Sequence, residues 1–323
     1  MKKQKQAQPS ISIDPRVVVP SNSFSKSVVL REKLKRVFPN SLFNEHGRRL
    51  SEVELVEFLK NADAAIIGIE PITDQVLSQT PQLKIVSKYG VGLDNVDQES
   101  LKRRNITLGW VGGVNRRSVS ELTLCFMLGL CRNVFSTGYP LKQSKWEKEG
   151  GQQLTGKIVG VIGCGNIGSD LIQLLAPLQC NLLVCDIVDK SEFCRKRNAT
   201  QTDLENLVTE SDIISLHVPL TPLTEKMANK SFLDQMKQTA YLINTCRGEV
   251  VDQEALKIAL MRGGIAGAAL DVFEEEPPLD EEFLSLPNLM VTPHIGGNAK
   301  EAVEAMGRSA IEHLVSFFKN HPQ

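Results

Sequence analysis

The chain has 323 residues, enough for two domains of ordinary size, each with its own core. A composition of 41% hydrophobic and 23% charged residues is that of a globular protein, and a formal net charge of −1 gives no electrostatic case for nucleic acid or a membrane surface as partner. The longest apolar stretch, LTLCFMLGLC (122–131), is too short to span a bilayer, and MKKQKQAQPS at the start has no secretory apolar region behind its lysines. Residues 1–15 therefore read as a disordered polar tail. Seven cysteines, an odd number with no C-x-x-C pair and mostly in apolar runs, read as small buried hydrophobes in a reducing cytoplasm, with no metal site expected.

From residue 16 the pattern alternates. RVVVPS (16–21) is a short β-rich run and KSVVLREKLKRVF (26–38) has helical spacing. LSEVELVEFLKNA (50–62) predicts a second helix, opened by Ser51 with Glu54 three residues on, the signature of a capping box. AAIIGIE (64–70), LKIVSKYG (83–90) and ITLGW (106–110) are strand-like, and this alternation predicts a parallel sheet covered by helices. RRSVSELTLCFMLGLCRNV (116–134) is a long helix apolar on more than one face, so it is buried on several sides or packs on another subunit. After the polar stretch 142–156 the rhythm restarts. KIVGVIG (157–163), CNLLVCD (180–186), DIISLHVP (212–219), AYLINT (240–245), IAGAALDV (265–272) and NLMVTP (288–293) read as strands, mostly continuous apolar runs buried on both faces. A final helix is predicted over 301–320.

GVIGCGNIGSDLIQLL (160–175) carries G-x-G-x-x-G as Gly163, Gly165 and Gly168, directly after a strand and opening a helix. Gly163 would make the tight turn, Gly165 would let backbone amides approach a pyrophosphate, and Gly168 would let the helix lie close on the sheet. Asp186 ends the next strand about twenty residues on, where a ribose-binding acid belongs. A carboxylate there accepts from the 2′-hydroxyl of NAD and repels the 2′-phosphate of NADP, and Ile187 stands where an NADP enzyme more often has a cation; Arg195 and Arg197 lie further along. In YLINTCRGEVVD (241–252), Arg247 beside Gly248 at the end of an apolar strand is either a solvated loop charge or a charge held over a ligand.

Taken with KYGVGLDNVD (88–97), VNRRSVSEL (114–122), VIGCGNIG (161–168), HVPLT (217–221), LINTCRGEVVD (242–252), ALDVFEEEPP (269–278) and TPHIGG (292–297), the chain resembles the D-isomer-specific 2-hydroxyacid dehydrogenases from about residue 16 to 318, most of all the phosphoglycerate-dehydrogenase-like members. The resemblance implies a two-domain α/β fold. A Rossmann-type doubly wound parallel sheet (113–297) is inserted in a flavodoxin-like substrate domain (16–112 with 298–323), with the substrate in the cleft. It implies Arg247, Glu276 and His294 as the catalytic trio: His294 the general acid and base, Glu276 holding the imidazole and favouring its protonated form, Arg247 offering a fork of donors to the substrate. By the same resemblance the amides of Val91 and Gly92 bind the substrate carboxylate and Asp271 meets the nicotinamide carboxamide. Thr245 and Cys246 line the nicotinamide pocket mainly through backbone. Asn166, Ile167, His217, Val218, Pro219, Gly296 and Gly297 complete the NAD site, and a homodimer through the 116–134 region is expected. Cys246 is not read as a nucleophile, since the chemistry needs no covalent intermediate.

The distal end of the substrate is less constrained. Ser23, Phe24 and Glu70 follow predicted strands and are candidates to border the cleft. Lys88 is either a cleft cation or an exposed strand-end lysine. Arg116 and Arg117 suit a phosphorylated substrate, or equally a solvated helix start. The leading expectation is an NAD-dependent D-2-hydroxyacid dehydrogenase, with D-3-phosphoglycerate as a candidate substrate. The chain stops soon after its last helix, so no appended regulatory domain is expected. The alternatives are a hydroxypyruvate or glyoxylate reductase and a non-catalytic NAD(H)-sensing binding protein.

Overall fold

A computed structural model describes residues 15–321, so the expected tail, apart from Pro15, lies outside the described residues. The chain forms two compact units. One runs to Asn115 and resumes at Lys300; the other is Arg116–Ala299. The sequence set these breaks at 112/113 and 297/298.

The first unit has five parallel strands: β1 Val17–Val19, β2 Leu42–Phe43, β3 Ala64–Ile67, β4 Ile85–Lys88 and β5 Thr107–Gly109, in the order β2-β1-β3-β4-β5. That is the flavodoxin order. Its strands are apolar on both faces because both faces are covered: Val17, Val19, Ala64 and Ile66 enter one core, while Val18, Ala65 and Ile67 enter the other. The C-terminal helix Lys300–Asn320 covers the first face with Met306, Ala310, Leu314 and Phe318, and Ser87 Oγ donates to Ala310 O at 2.8 Å beneath it. Burying a side chain such as Met306, Leu314 or Phe318 stabilises the unit by about 1.5–3 kcal/mol. The capping box at Ser51 and Glu54 is present. The single helix expected over 26–38 is two, Asn22–Lys26 and Val28–Lys35, because Ser27 ends one through its amide and starts the next by accepting from Leu30 N.

The second unit has seven parallel strands: β6 Ile158–Ile162, β7 Asn181–Cys185, β8 Ala199–Gln201, β9 Ile213–Leu216, β10 Tyr241–Asn244, β11 Gly267–Leu270 and β12 Leu289–Val291. Their order, β12-β11-β10-β9-β6-β7-β8, reverses direction at the β6/β9 boundary, as in a doubly wound dinucleotide fold. Neighbouring residues again serve opposite faces, Leu242 on one and Ile243 on the other. The helix Arg116–Cys131 buries Phe126, Met127, Leu130 and Cys131 on the second face, while Leu128 stays exposed. Among the described residues no single helix is long and apolar enough to cross a membrane.

Candidate active site

The turn after β6 is built for a close-approaching anion. Gly163 has φ +91°, and a Cβ there would sit 2.4 Å from His217 O; a Cβ on Gly168 would sit 2.0 Å from Gly163 O. No other residue fits either place. At Gly165 a Cβ would meet nothing within 4 Å, and the helix Asn166–Leu175 that follows has no side-chain cap. Open space in front of uncapped helix amides fits the pyrophosphate of a dinucleotide. Asp186 stands beside the loop, one oxygen accepting from Cys164 N at 2.7 Å and the other from Val188 N at 2.9 Å. Each oxygen keeps an acceptor site for a ribose hydroxyl. Ile187 is almost fully exposed, and Arg197 lies over the Phe193 ring at 4.2 Å.

His217 and its neighbours Val218 and Pro219 follow β9. The His217 ring is buried, with Nε2 bonded to Ser215 Oγ at 2.8 Å and no protein partner for Nδ1, and burial drives its pKa down to about 3. It is a neutral imidazole at any ordinary pH.

The ends of β10, β11 and β12 carry the predicted trio. His294 Nδ1 lies 2.8 Å from Glu276 Oε2, while Glu276 Oε1 accepts from Phe273 N at 3.2 Å. The carboxylate can only accept, so Nδ1 carries the proton. Arg247 donates through a terminal nitrogen to Cys246 O at 2.6 Å, and its own carbonyl accepts from Asn244 Nδ2 at 2.7 Å. Gly248 is needed for close approach rather than for a left-handed conformation. A Cβ on it would lie 1.9 Å from the carbonyl carbon and oxygen of Phe273, so only glycine lets the Arg247 turn press on the segment carrying Glu276. Thr245 is buried and shares a hydrogen bond with Thr123 at 3.0 Å. Burial pushes the Cys246 thiol up to about 11, which leaves it no thiolate.

The support of the His294 loop comes from residues that no local motif links to it. Asp271, buried after β11, accepts from Thr292 Oγ1 at 2.6 Å, Ile295 N at 2.7 Å and Gly296 N at 2.7 Å, while its carbonyl takes His294 N at 2.8 Å. One lone pair of its carboxylate remains for the carboxamide contact expected of it. Gly296 O in turn accepts from Ser118 Oγ, whose oxygen also takes Ala299 N. This cage holds His294 at φ +52°, a left-handed conformation that is costly for a residue with a Cβ. Gly296, expected at the cofactor site, has its amide occupied by Asp271, and Gly297 follows it.

The sequence candidates of the first unit fare differently. Phe24 is wholly buried, edge-on to Tyr89 at 5.3 Å, and is core rather than lining. Glu70 is also buried, accepting from Gly68 N at 2.6 Å in its own turn; Ser23 is exposed. Lys88 is only 5% exposed, against the solvated reading: its ammonium donates to Gly68 O and to Asn95 Oδ1, the latter at 2.6 Å. Asn95 Nδ2 donates to Gly68 O at 3.2 Å and to Glu70 O. Beyond Gly90, at φ +136°, no protein acceptor takes the amides of Val91 and Gly92 among the described residues. Arg116 and Arg117, at the start of their helix, turn to the buried Asp170, Arg117 at 3.0 Å and Arg116 at 4.0 Å. Asp170 balances one of the two charges, and both arginine side chains stay about half exposed.

Comparison with known proteins agrees with this geometry. The NAD binding domain of the D-isomer specific 2-hydroxyacid dehydrogenases matches residues 124–296. The chain belongs to that family. It is 36% identical over 283 residues to a glyoxylate reductase of Pyrococcus furiosus, covering 84% of each chain. It is 35% identical over 269 residues to a D-3-phosphoglycerate dehydrogenase of Methanocaldococcus jannaschii, covering 82% of this chain and 51% of that one. A D-lactate dehydrogenase of Aquifex aeolicus, solved with NAD and lactic acid, superposes with a TM-score of 0.83 at 27% identity over 94% of this chain and 96% of the other. The dehydrogenase is thus an NAD-dependent oxidoreductase of 2-hydroxy acids.

Proposed function

We propose that this dehydrogenase reduces small unphosphorylated 2-oxo acids, of the glyoxylate and hydroxypyruvate type, to 2-hydroxy acids with NADH. The hydrogen bond between His294 and Glu276, on a loop caged by Asp271, is the observation that carries the chemistry. With Nδ1 committed to Glu276, Nε2 of His294 gives its proton to the carbonyl oxygen as that oxygen gains charge, and takes it back in the oxidative direction. Arg247 presents a permanently charged fork to the carbonyl and carboxylate oxygens. The amides of Val91 and Gly92 take the carboxylate. Bound NADH supplies the hydride to the carbonyl carbon. Gly165, Asn166, Ile167 and Gly168 hold its pyrophosphate and Asp186 its ribose, which favours NAD over NADP. Val218, Pro219, Thr245, Cys246 and Gly297 line the rest of the cofactor site.

The substrate choice rests on Arg116 and Arg117. Arg117 is held by Asp170, which leaves Arg116 alone to favour a phosphorylated substrate. The likeness, over most of their length, to a glyoxylate reductase and a hydroxypyruvate reductase makes D-3-phosphoglycerate the less favoured candidate. A homodimer is supported by the helix Val134–Lys142, which buries none of its residues and leaves Val134, Phe135, Tyr139 and Leu141 exposed next to Leu128. Seven free cysteines support a cytoplasmic setting. Steady-state assays with glyoxylate, hydroxypyruvate and D-3-phosphoglycerate test the reading. Turnover of the first two is expected, and Arg247→Ala is expected to lose activity while keeping its NADH affinity. Turnover confined to D-3-phosphoglycerate would reject the substrate class. NADH binding without turnover across 2-oxo and D-2-hydroxy acids would favour a sensor, and a fully active Arg247→Ala would remove Arg247 from its role.

A further inference from the structure

The β4–β5 ladder ends at Ser87 and Gly109, and the last backbone bond from this end of β4 is Tyr89 N to Ile67 O. Beyond it the 90–92 backbone has no ladder partner. The next residue of β5's own chain supplies one: Trp110 Nε1 donates to Val91 O at 2.9 Å. This indole is 40% exposed, so its ring is not simply core filling. The bond fixes more than a carbonyl. In a trans peptide the C=O of one residue and the N–H of the next point in opposite directions. Holding Val91 O against the indole therefore aims Gly92 N–H away from it, with no protein acceptor ahead among the described residues. Gly90 at φ +136° and Gly92 give the loop freedom to rotate that peptide, and Trp110 removes it.

We propose that Trp110 is a positioning residue for the substrate carboxylate: its indole N–H, by locking the Val91–Gly92 peptide, preorients the Gly92 amide that receives the anion. The inference rests on the reading above that these amides bind the carboxylate, and it adds a side chain to which no role has been given.

The Trp110→Phe variant keeps an aromatic ring, smaller than the indole, and removes the donor. Expected is a roughly 3–10-fold rise in KM for glyoxylate, with kcat within about twofold of the parent, since the amide that binds the carboxylate loses its preorientation while the chemical step loses no contact. Calorimetry with oxalate as a dead-end carboxylate on the NAD-loaded enzyme should show the same weakening, with NADH affinity unchanged. The sequence holds two tryptophans, and Trp146 is three-quarters exposed. In Trp146→Phe the emission therefore reports Trp110 alone, and saturating oxalate should shift it. This arm stands even if Trp110→Phe fails to fold. Parental KM and oxalate affinity in Trp110→Phe, or an emission unmoved by bound oxalate, would overturn the proposal. Equal loss of NADH affinity would reduce Trp110 to a structural residue. If Trp110→Phe is unchanged while Arg247→Ala is inactive, the Trp110 inference fails and the functional reading stands. If the parent enzyme neither binds oxalate nor reduces glyoxylate, the functional reading fails and takes Trp110 with it.

Discussion

Two loops of this dehydrogenase are held in opposite ways. In the 292–296 loop the protein takes up the amides: Ile295 N and Gly296 N go to the Asp271 carboxylate and His294 N to its carbonyl, leaving a side chain, His294, as what the loop offers. In the 88–95 region a carbonyl is taken up: Trp110 donates to Val91 O, and Lys88 and Asn95 anchor the region by donating to Gly68 O, while the amides of Val91 and Gly92 are left without protein acceptors among the described residues. A buried anion makes a loop that presents a proton-transfer group; buried or half-buried donors make one that presents N–H groups to an anion. The supporting residue's polarity is the inverse of what the loop has left to do.

This contrast can be broken from either side. The largest effect is expected from Gly248→Ala, whose methyl would be driven into the Phe273 backbone. About 3 kcal/mol or more of stability should be lost in denaturant titration, with the Arg247 turn and Glu276 segment displaced together. Asp271→Ala leaves the buried Gly296 amide and the half-buried Ile295 amide without acceptors and should cost about 2 kcal/mol. Stopped-flow hydride transfer should slow in this variant while oxalate affinity stays within about twofold, because the 90–95 loop does not lean on Asp271.

His217 belongs to neither loop and sharpens the comparison by its pH signature. Its folded-state pKa of about 3 lies below the ordinary histidine value, so the native imidazole stays neutral where the unfolded one protonates. The stability concerned is fully present above pH 6.5 and drains away as pH falls towards 3, by up to about 1.4 kcal/mol per unit. His217→Asn should flatten that part of the urea-midpoint profile; an unchanged slope would refute the buried neutral imidazole. The smallest effect is expected from Asn95→Ala, about 1 kcal/mol, read as a raised KM for glyoxylate with kcat retained. A fall in kcat alone would erase the distinction between the loops.

Much of the fold was legible because its strands are apolar on both faces and end in glycines or polar residues, as VIGCGNIG and YLINTCRG do. The two strands missed, β2 and β8, are edge strands of two and three residues, too short to carry a pattern. The pairing of His294 with Glu276 followed from motifs. The supports did not: Ser118 reaches Gly296 across 178 positions and Arg117 reaches Asp170 across 53, and no local spacing announces such partners. Phe24 was misread, and Lys88 was left open between cleft and solvent, because a residue at or after a strand end can face the sheet's own core or its terminal turn, which periodicity alone does not decide.

The central claim is that His294, held by Glu276 and the Asp271 cage, delivers the proton. Single-turnover reduction of saturating glyoxylate by NADH-loaded His294→Asn, followed at the NADH absorbance, tests it most directly. The hydride-transfer rate should fall by roughly a hundredfold or more, with NADH and oxalate affinities preserved. Hydride transfer at the parental rate in that variant would contradict the claim.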